Sequence, residues 1–173
     1  MLKEQISDAA LDVLVRDGLE KWTVSAVADH AGCAKGLVHY HHKTKEQLLG
    51  TVADQLAKAR VEDRLGALGT GGTEALDALW TVLVTTASSG RTKAWLSLLG
   101  HSSSPVHQAA RLPSEYHGRL AAAIAAAFVL KSVEEPVVRS IDAALDGFEL
   151  ALVRGDDPDR VHESFHQIWL SVL

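Results

Sequence analysis

The chain has 173 residues, 47% of them hydrophobic and 23% charged, with a formal net charge of −5 and a single cysteine, Cys33. That length buries a real core, as one domain or as one compact domain plus a small one, and no apolar run approaches the ~18 residues that suggest a membrane-spanning helix. A lone cysteine excludes an intramolecular disulfide framework and fits a reducing cytoplasm.

The first segment, MLKEQISDAALDVL, is amphipathic and carries acids, unlike a signal peptide. Ile6, Ala9, Ala10, Val13 and Leu14 share one helical stripe over residues 3–17, and Gly18 stops it. Thr23 is placed to cap a short helix reaching about Ala31, with Gly32 ending it. A second short helix is expected from Lys35 to His41. Thr44 and Gln47 have the spacing of a capping box that opens a longer helix bearing Leu48, Val52 and Leu56. LGTGGT (68–73) reads as a linker. Helical stripes resume with Leu76, Leu79, Trp80 and Leu83, then with Trp95, Leu96 and Leu99, until HSSSP (101–105) interrupts them. Tyr116, Leu120, Ile124 and Phe128 mark the next helix. Pro136 opens another through Leu152, and after GDDPD (155–159) a last helix carries Val161, Phe165, Ile168 and Trp169. No segment alternates as a strand does, so the fold class is all-α, with about nine helices.

Charge is unevenly spread. Residues 21–60 carry six cations (Lys21, Lys35, Lys43, Lys45, Lys58, Arg60) against three acids (Asp29, Glu46, Asp54), whereas residues 61–173 carry nine against fourteen. A small basic head on an acidic body keeps a polyanion in view as partner despite the net charge.

Within that head, VADHAGCAKGLV (27–38) has the parts of a helix-turn-helix. Ala28 is small enough for two helices to cross closely, Gly32 tolerates the positive φ of the turn, and Val38 locks the second helix onto Val24 and Val27. Such a second helix is free to lie in a DNA major groove.

The order of these features resembles the TetR family of transcriptional regulators. Thr23, Val27, Ala28, Ala31, Gly32, Gly36, Val38, His41, Thr44, Lys45, Glu46 and Leu48 fall at matching or near-matching places, over about residues 6–50. The resemblance implies a three-helix DNA-binding head over residues 1–48 and a ligand-binding and dimerisation body over 49–173. It also implies a homodimer on a palindromic double-stranded DNA operator, a small-molecule effector that releases a repressor, and a cytoplasmic protein with no cofactor, no metal, no membrane and no enzymatic activity.

Carried over by resemblance, Lys35, Gly36 and Leu37 open the recognition helix, His39, Tyr40 and His41 lie along it, and Lys43 and Lys45 follow. Thr23 at the start of the preceding helix and Ala34 before Lys35 complete the DNA-facing set. Lys35 and His39 suit base edges, Leu37 or Ala34 a thymine methyl, and Tyr40, His41, Lys43 and Lys45 phosphate oxygens. Trp80, Trp95, His101, His107, Tyr116 and His117 are candidates to line an effector pocket. Phe148, Leu152, Phe165, Ile168 and Trp169 offer a stripe broad enough for a four-helix dimer interface.

Three departures from the family pattern stand out. Ala34 has no side chain to cap the recognition helix, a loss of about 1 kcal/mol. His42 stands where an apolar aromatic is usual, which predicts a looser, wetter seam. Little sequence precedes the first helix, so a basic N-terminal arm is not expected. Together they leave open a helical ligand-binding or scaffold protein with a weakened head. Two other readings fail on context. GHSSS (100–104) lacks the second glycine and the preceding strand of a nucleophile elbow, and His39, His41 and His42 do not share one helical face as ligands of a metal must.

Overall fold

The computed structural model describes residues 2–172, in which ten helices and no strand occur. Helix α1 spans Leu2–Asp17, α2 Val24–His30, α3 Lys35–His41 and α4 Lys45–Leu68. They are followed by α5 Gly72–Ser88, α6 Arg91–Leu99, α7 Ser104–Ala110, α8 Tyr116–Ala127, α9 Glu135–Arg154 and α10 Pro158–Val172. The helix beyond the expected nine is α7. It starts inside the HSSSP break, with Pro105 in its first turn, where the missing N–H costs nothing.

Helix limits follow local chemistry. The stripe Ile6, Ala9, Ala10, Val13 and Leu14 is the buried face of α1, and Gly18 takes φ +77° to end it. Thr23 Oγ1 accepts the Ala26 N–H at 3.1 Å, capping α2. The turn into α3 passes through Gly32 at φ +64°, a conformation that costs a side-chain-bearing residue about 1 kcal/mol or more. Thr44 Oγ1 accepts the Gln47 N–H at 3.1 Å while Gln47 Oε1 reaches back to the Lys43 N–H at 2.8 Å, so α4 opens on a reciprocal cap.

The chain forms two compact units. One takes the residues through Lys58 together with Lys93–Leu112; the other takes Ala59–Thr92 and the residues from Pro113 onward. Helix α4 runs unbroken past residue 48 and contributes to both. In the first unit, Ile6, Val13 and Leu14 of α1 meet Val27 and Ala28 of α2, Val38 of α3 and Leu48, Leu49, Val52 and Leu56 of α4 in one core. Trp95 and Leu98 of α6 and Val106 and Ala110 of α7 belong to that same core. In the second unit, Leu79 and Leu83 of α5, Leu120 and Ile124 of α8, Ile141 and Leu145 of α9 and Phe165 and Trp169 of α10 are buried. Each such large side chain contributes about 1.5–3 kcal/mol by leaving water.

Candidate nucleic-acid interface

Helix α3 has one buried residue, Val38, and it fixes which way the rest of the helix faces. Lys35, Gly36, Leu37, His39 and Tyr40 are exposed, as are Ala34 before them, Thr23 at the start of α2, and Lys43 and Lys45 after them; His41 is half-covered. Tyr40 is 78% exposed and Leu37 41%, two large side chains that have no place in this core. Tyr40 holds an edge-on contact with His41 at 5.1 Å between ring centres. Ala34 makes no side-chain cap to α3, as its lack of a hydroxyl dictates. Thr23 does two things at once: it is exposed, and its oxygen is already engaged in capping α2.

One residue outside the expected DNA-facing set, Trp22, builds the platform beneath it. Trp22 is 1% exposed, and its indole N–H donates to the Ala10 carbonyl at 2.8 Å, tying the α1–α2 connection to α1. Its ring also lies under Lys45, whose Nζ is 5.6 Å from the ring centre, so Lys45 is held by a cation–π contact at the head of α4. A tryptophan between two predicted helices was the available signal.

His42 corrects the expectation of a wet seam. It is 2% exposed, and its Nε2 lies 3.5 Å from Ser7 Oγ, which in turn donates to the Lys3 carbonyl at 3.1 Å. The polar residue is dry because α1 supplies a polar partner 35 residues away. Burial, then the positive charge of Lys3, hold the imidazole below its ordinary value, against the hydrogen bond of the Lys3 backbone; His41 adds a smaller push downward. A base whose folded value is depressed stabilises the fold above its unfolded value of 6.5, and that contribution is lost as pH falls below it. His42→Phe is therefore expected to lose less melting temperature than the parent between pH 7.5 and 5.5. Equal losses in the two proteins would remove His42 as the cause.

The six residues considered for a pocket fall in different units. Trp95, His101 and His107 lie in the first. Trp95 is core, with its indole N–H on the Ala110 carbonyl at 2.8 Å; His101 Nδ1 accepts the Ser103 N–H at 3.0 Å, and His107 Nδ1 contacts the Leu99 carbonyl. Trp80, Tyr116 and His117 lie in the second. Trp80 stacks on His162 of α10, whereas Tyr116 and His117 both reach Asp142 of α9.

Asp142 belongs to a buried ionic layer that the sequence did not announce. Arg64 of α4 donates to Asp142 Oδ1 at 2.7 Å, Asp146 Oδ1 at 2.7 Å and Glu149 Oε1 at 2.9 Å. Arg60, one turn earlier, donates to Asp146 Oδ1 at 2.6 Å and to Glu149 Oε2, which also accepts from Thr92 at 2.7 Å. Burial pushes the Tyr116 phenol up to about 12, so it stays protonated and donates to Asp142 Oδ1 at 2.9 Å.

Of the five residues considered for a dimer interface, Phe165 and Trp169 are buried in their own chain, at 0% and 1% exposure. Phe148, Leu152 and Ile168 are half-buried, and Leu150 and Leu170 beside them are 41% and 76% exposed. Phe148, Ala151, Val161 and Ser164 line an open groove of about 520 Å³ with Asp156, Asp157 and Arg160. Ser102 of the GHSSS segment follows helix α6, so the strand that a nucleophile elbow requires is absent there. Among the described residues, no helix is long and apolar enough to cross a membrane, and no three of His, Cys, Asp and Glu gather as metal ligands.

Residues 6–52 match the sequence model of the family described as bacterial regulatory proteins, tetR family. No curated protein matches the chain. Among solved structures, it is similar to a TetR transcription regulator from Haloarcula marismortui ATCC 43049, with 21% identity over 99% of this chain and 96% of that one and a TM-score of 0.74. A transcriptional regulator from Rhodococcus sp. Rha1 aligns over 99% and 95% at 21% identity, with a TM-score of 0.72. The multidrug binding protein EbrR complexed with imidazole aligns over 97% and 94% at 22% identity, with a TM-score of 0.67. At such identities the likeness to these structures is one of fold.

Proposed function

We propose that this chain, a TetR-family transcriptional regulator and not an enzyme, represses transcription by binding a palindromic operator as a cytoplasmic homodimer and is released by a small-molecule effector. The observation that carries the DNA reading is the outward set on α3. One buried valine orients Lys35, Gly36, Leu37, His39 and Tyr40 away from the core, and Lys43 and Lys45 flank the positive end of α4. Lys35 and His39 are assigned to base edges, and Tyr40, Lys43 and Lys45 to phosphates.

A single α3 spans too few base pairs for useful specificity, so pairing of two heads is part of the proposal. The outward faces of α9 and α10, with Phe148, Leu150, Leu152, Ile168 and Leu170, are its interface. For the effector, support comes from the fold neighbours: EbrR has been solved with imidazole, malachite green and ethidium. By that likeness the body of this chain takes a small organic molecule, and an effector that prefers one body arrangement weakens operator binding by population shift.

Fluorescence anisotropy against the DNA flanking the protein's own gene tests the reading. Affinity is expected to fall steeply with salt as counterions are released. Lys45→Ala should weaken every sequence alike and flatten the salt slope by about 1, whereas Lys35→Ala should cost about 1–3 kcal/mol on the operator and relax its sequence preference. Absence of binding to any palindrome at low salt would leave a helical binding protein with a lapsed head.

A further inference from the structure

We propose that His162 and His166 of α10 form a bidentate site for a divalent transition-metal ion of the copper(II) or nickel(II) kind. The two residues stand four apart, on one face of a helix, the spacing by which paired histidines chelate metals. Their Nε2 atoms already face each other at 3.0 Å, with ring centres 4.5 Å apart. Both rings are half-buried, so solvent reaches them.

The separation suits a cis pair of nitrogens on a tetragonal ion. Metal–imidazole bonds of about 2.0–2.1 Å to two nitrogens 3.0 Å apart subtend about 95° at the ion. Tetrahedral zinc would spread the same nitrogens to about 3.3 Å, whereas a tetragonal ion takes ligands near a right angle, and nitrogen sites favour copper(II) above its neighbours in the series. In the metal-free pair one neutral ring donates its Nε2–H to the bare Nε2 of the other. On binding, the donating ring changes tautomer, its proton moving through solvent from Nε2 to Nδ1, so that both rings stay neutral and both Nε2 atoms donate lone pairs to the metal. Because the two nitrogens face each other, both rings turn slightly to bring their lone pairs onto one ion.

Neighbouring groups hold the pair in place. His162 is stacked on Trp80 of α5, with ring centres 4.5 Å apart and planes 27° apart, and Phe165 lies on the buried side of the same helix. Ordering of one ring before the ion arrives lowers the entropy cost of chelation. No third His, Cys, Asp or Glu joins the pair among the described residues, so water fills the remaining positions. The bound ion clips two successive turns of α10 together.

Trp80 makes the site observable. Of the four tryptophans, it is the one whose ring stacks on His162 among the described residues, and copper(II) quenches an indole at that range. Titration of Cu²⁺ into the full-length protein, in buffer free of amines and chelators, is expected to give a saturable loss of tryptophan emission at one ion per chain. The electron paramagnetic resonance spectrum should carry two imidazole nitrogens. His166→Ala should abolish the stoichiometric quench and leave one nitrogen at most. Trp80→Phe should keep the two-nitrogen spectrum while losing most of the quench, and circular dichroism of each variant checks its fold. No saturable uptake by the parent overturns the assignment. So does uptake that persists in a His162→Ala, His166→Ala double variant, which would place the ion elsewhere, such as the histidines of α3.

Discussion

Arg64→Ala is expected to lower the unfolding free energy by about 3–5 kcal/mol, the usual cost of removing one partner from a buried ion pair. Arg64 is fully buried, and its guanidinium faces Asp142, Asp146 and Glu149. Without it, Glu149 retains Arg60 and Thr92, but Asp142 keeps only Tyr116 and the half-exposed His117. Urea denaturation followed by circular dichroism reads the loss. A double variant, Arg64→Met with Asp142→Asn, should recover part of it, since exchanging both sides of a buried pair is cheaper than stranding one. A loss below about 1 kcal/mol would mean that the layer is solvated, as surface pairs are.

The same layer sets an acid limit. Burial alone would raise the Asp146 carboxyl, but Arg64 and Arg60 outweigh it and hold the group below its ordinary value. An acid with a depressed folded value stabilises the fold above the unfolded value of about 3.9, and that contribution disappears as pH falls through the folded one. The parent should therefore lose stability below about pH 4 in a step that Asp146→Asn lacks.

Trp22→Ala is the second large effect, expected at about 3–5 kcal/mol for loss of a buried tryptophan. Three things go together: the ring's packing in the head, the N–H bond to the Ala10 carbonyl, and the surface over which Lys45 sits. Trp22→Phe separates them. It keeps most of the ring and the seat for Lys45, and it gives up one buried hydrogen bond, about 0.5–1.5 kcal/mol. Thermal unfolding and DNA anisotropy on both variants give the comparison. Trp22→Ala should lose DNA binding along with head stability, whereas Trp22→Phe should retain binding within about a factor of a few, since Lys45 remains placed. Full binding by Trp22→Ala would show that the platform under Lys45 is dispensable.

Local rules were legible in the sequence wherever the determinant and its effect lie within a few residues. The roles of Thr23, Gly32 and Thr44 with Gln47 came from caps and glycine conformation alone. The set on α3 came from the family resemblance, and the burial of Val38 accords with its outward face. Long-range matches were not legible. Arg60 and Arg64 are spaced one turn apart on α4, and Asp142, Asp146 and Glu149 recur at helical intervals on α9, but each series alone reads as an ordinary solvated stripe. Periodicity likewise marks Phe165 and Trp169 as apolar without saying whether their own chain or another covers them, and it is their own core that does. His42 looked misplaced until Ser7 came beside it from α1.

The head's core is discontinuous in sequence, since Trp95, Leu98, Val106 and Ala110 share it with Ile6, Val27 and Leu48. Synthesis runs from the N-terminus at about 5–20 residues per second, so α1 to α4 leave the ribosome several seconds before the residues that finish their core. During that interval the helix-turn-helix exposes the apolar surface that α6 and α7 later cover. The core beneath the helix-turn-helix is therefore complete only once Ala110 has been synthesised.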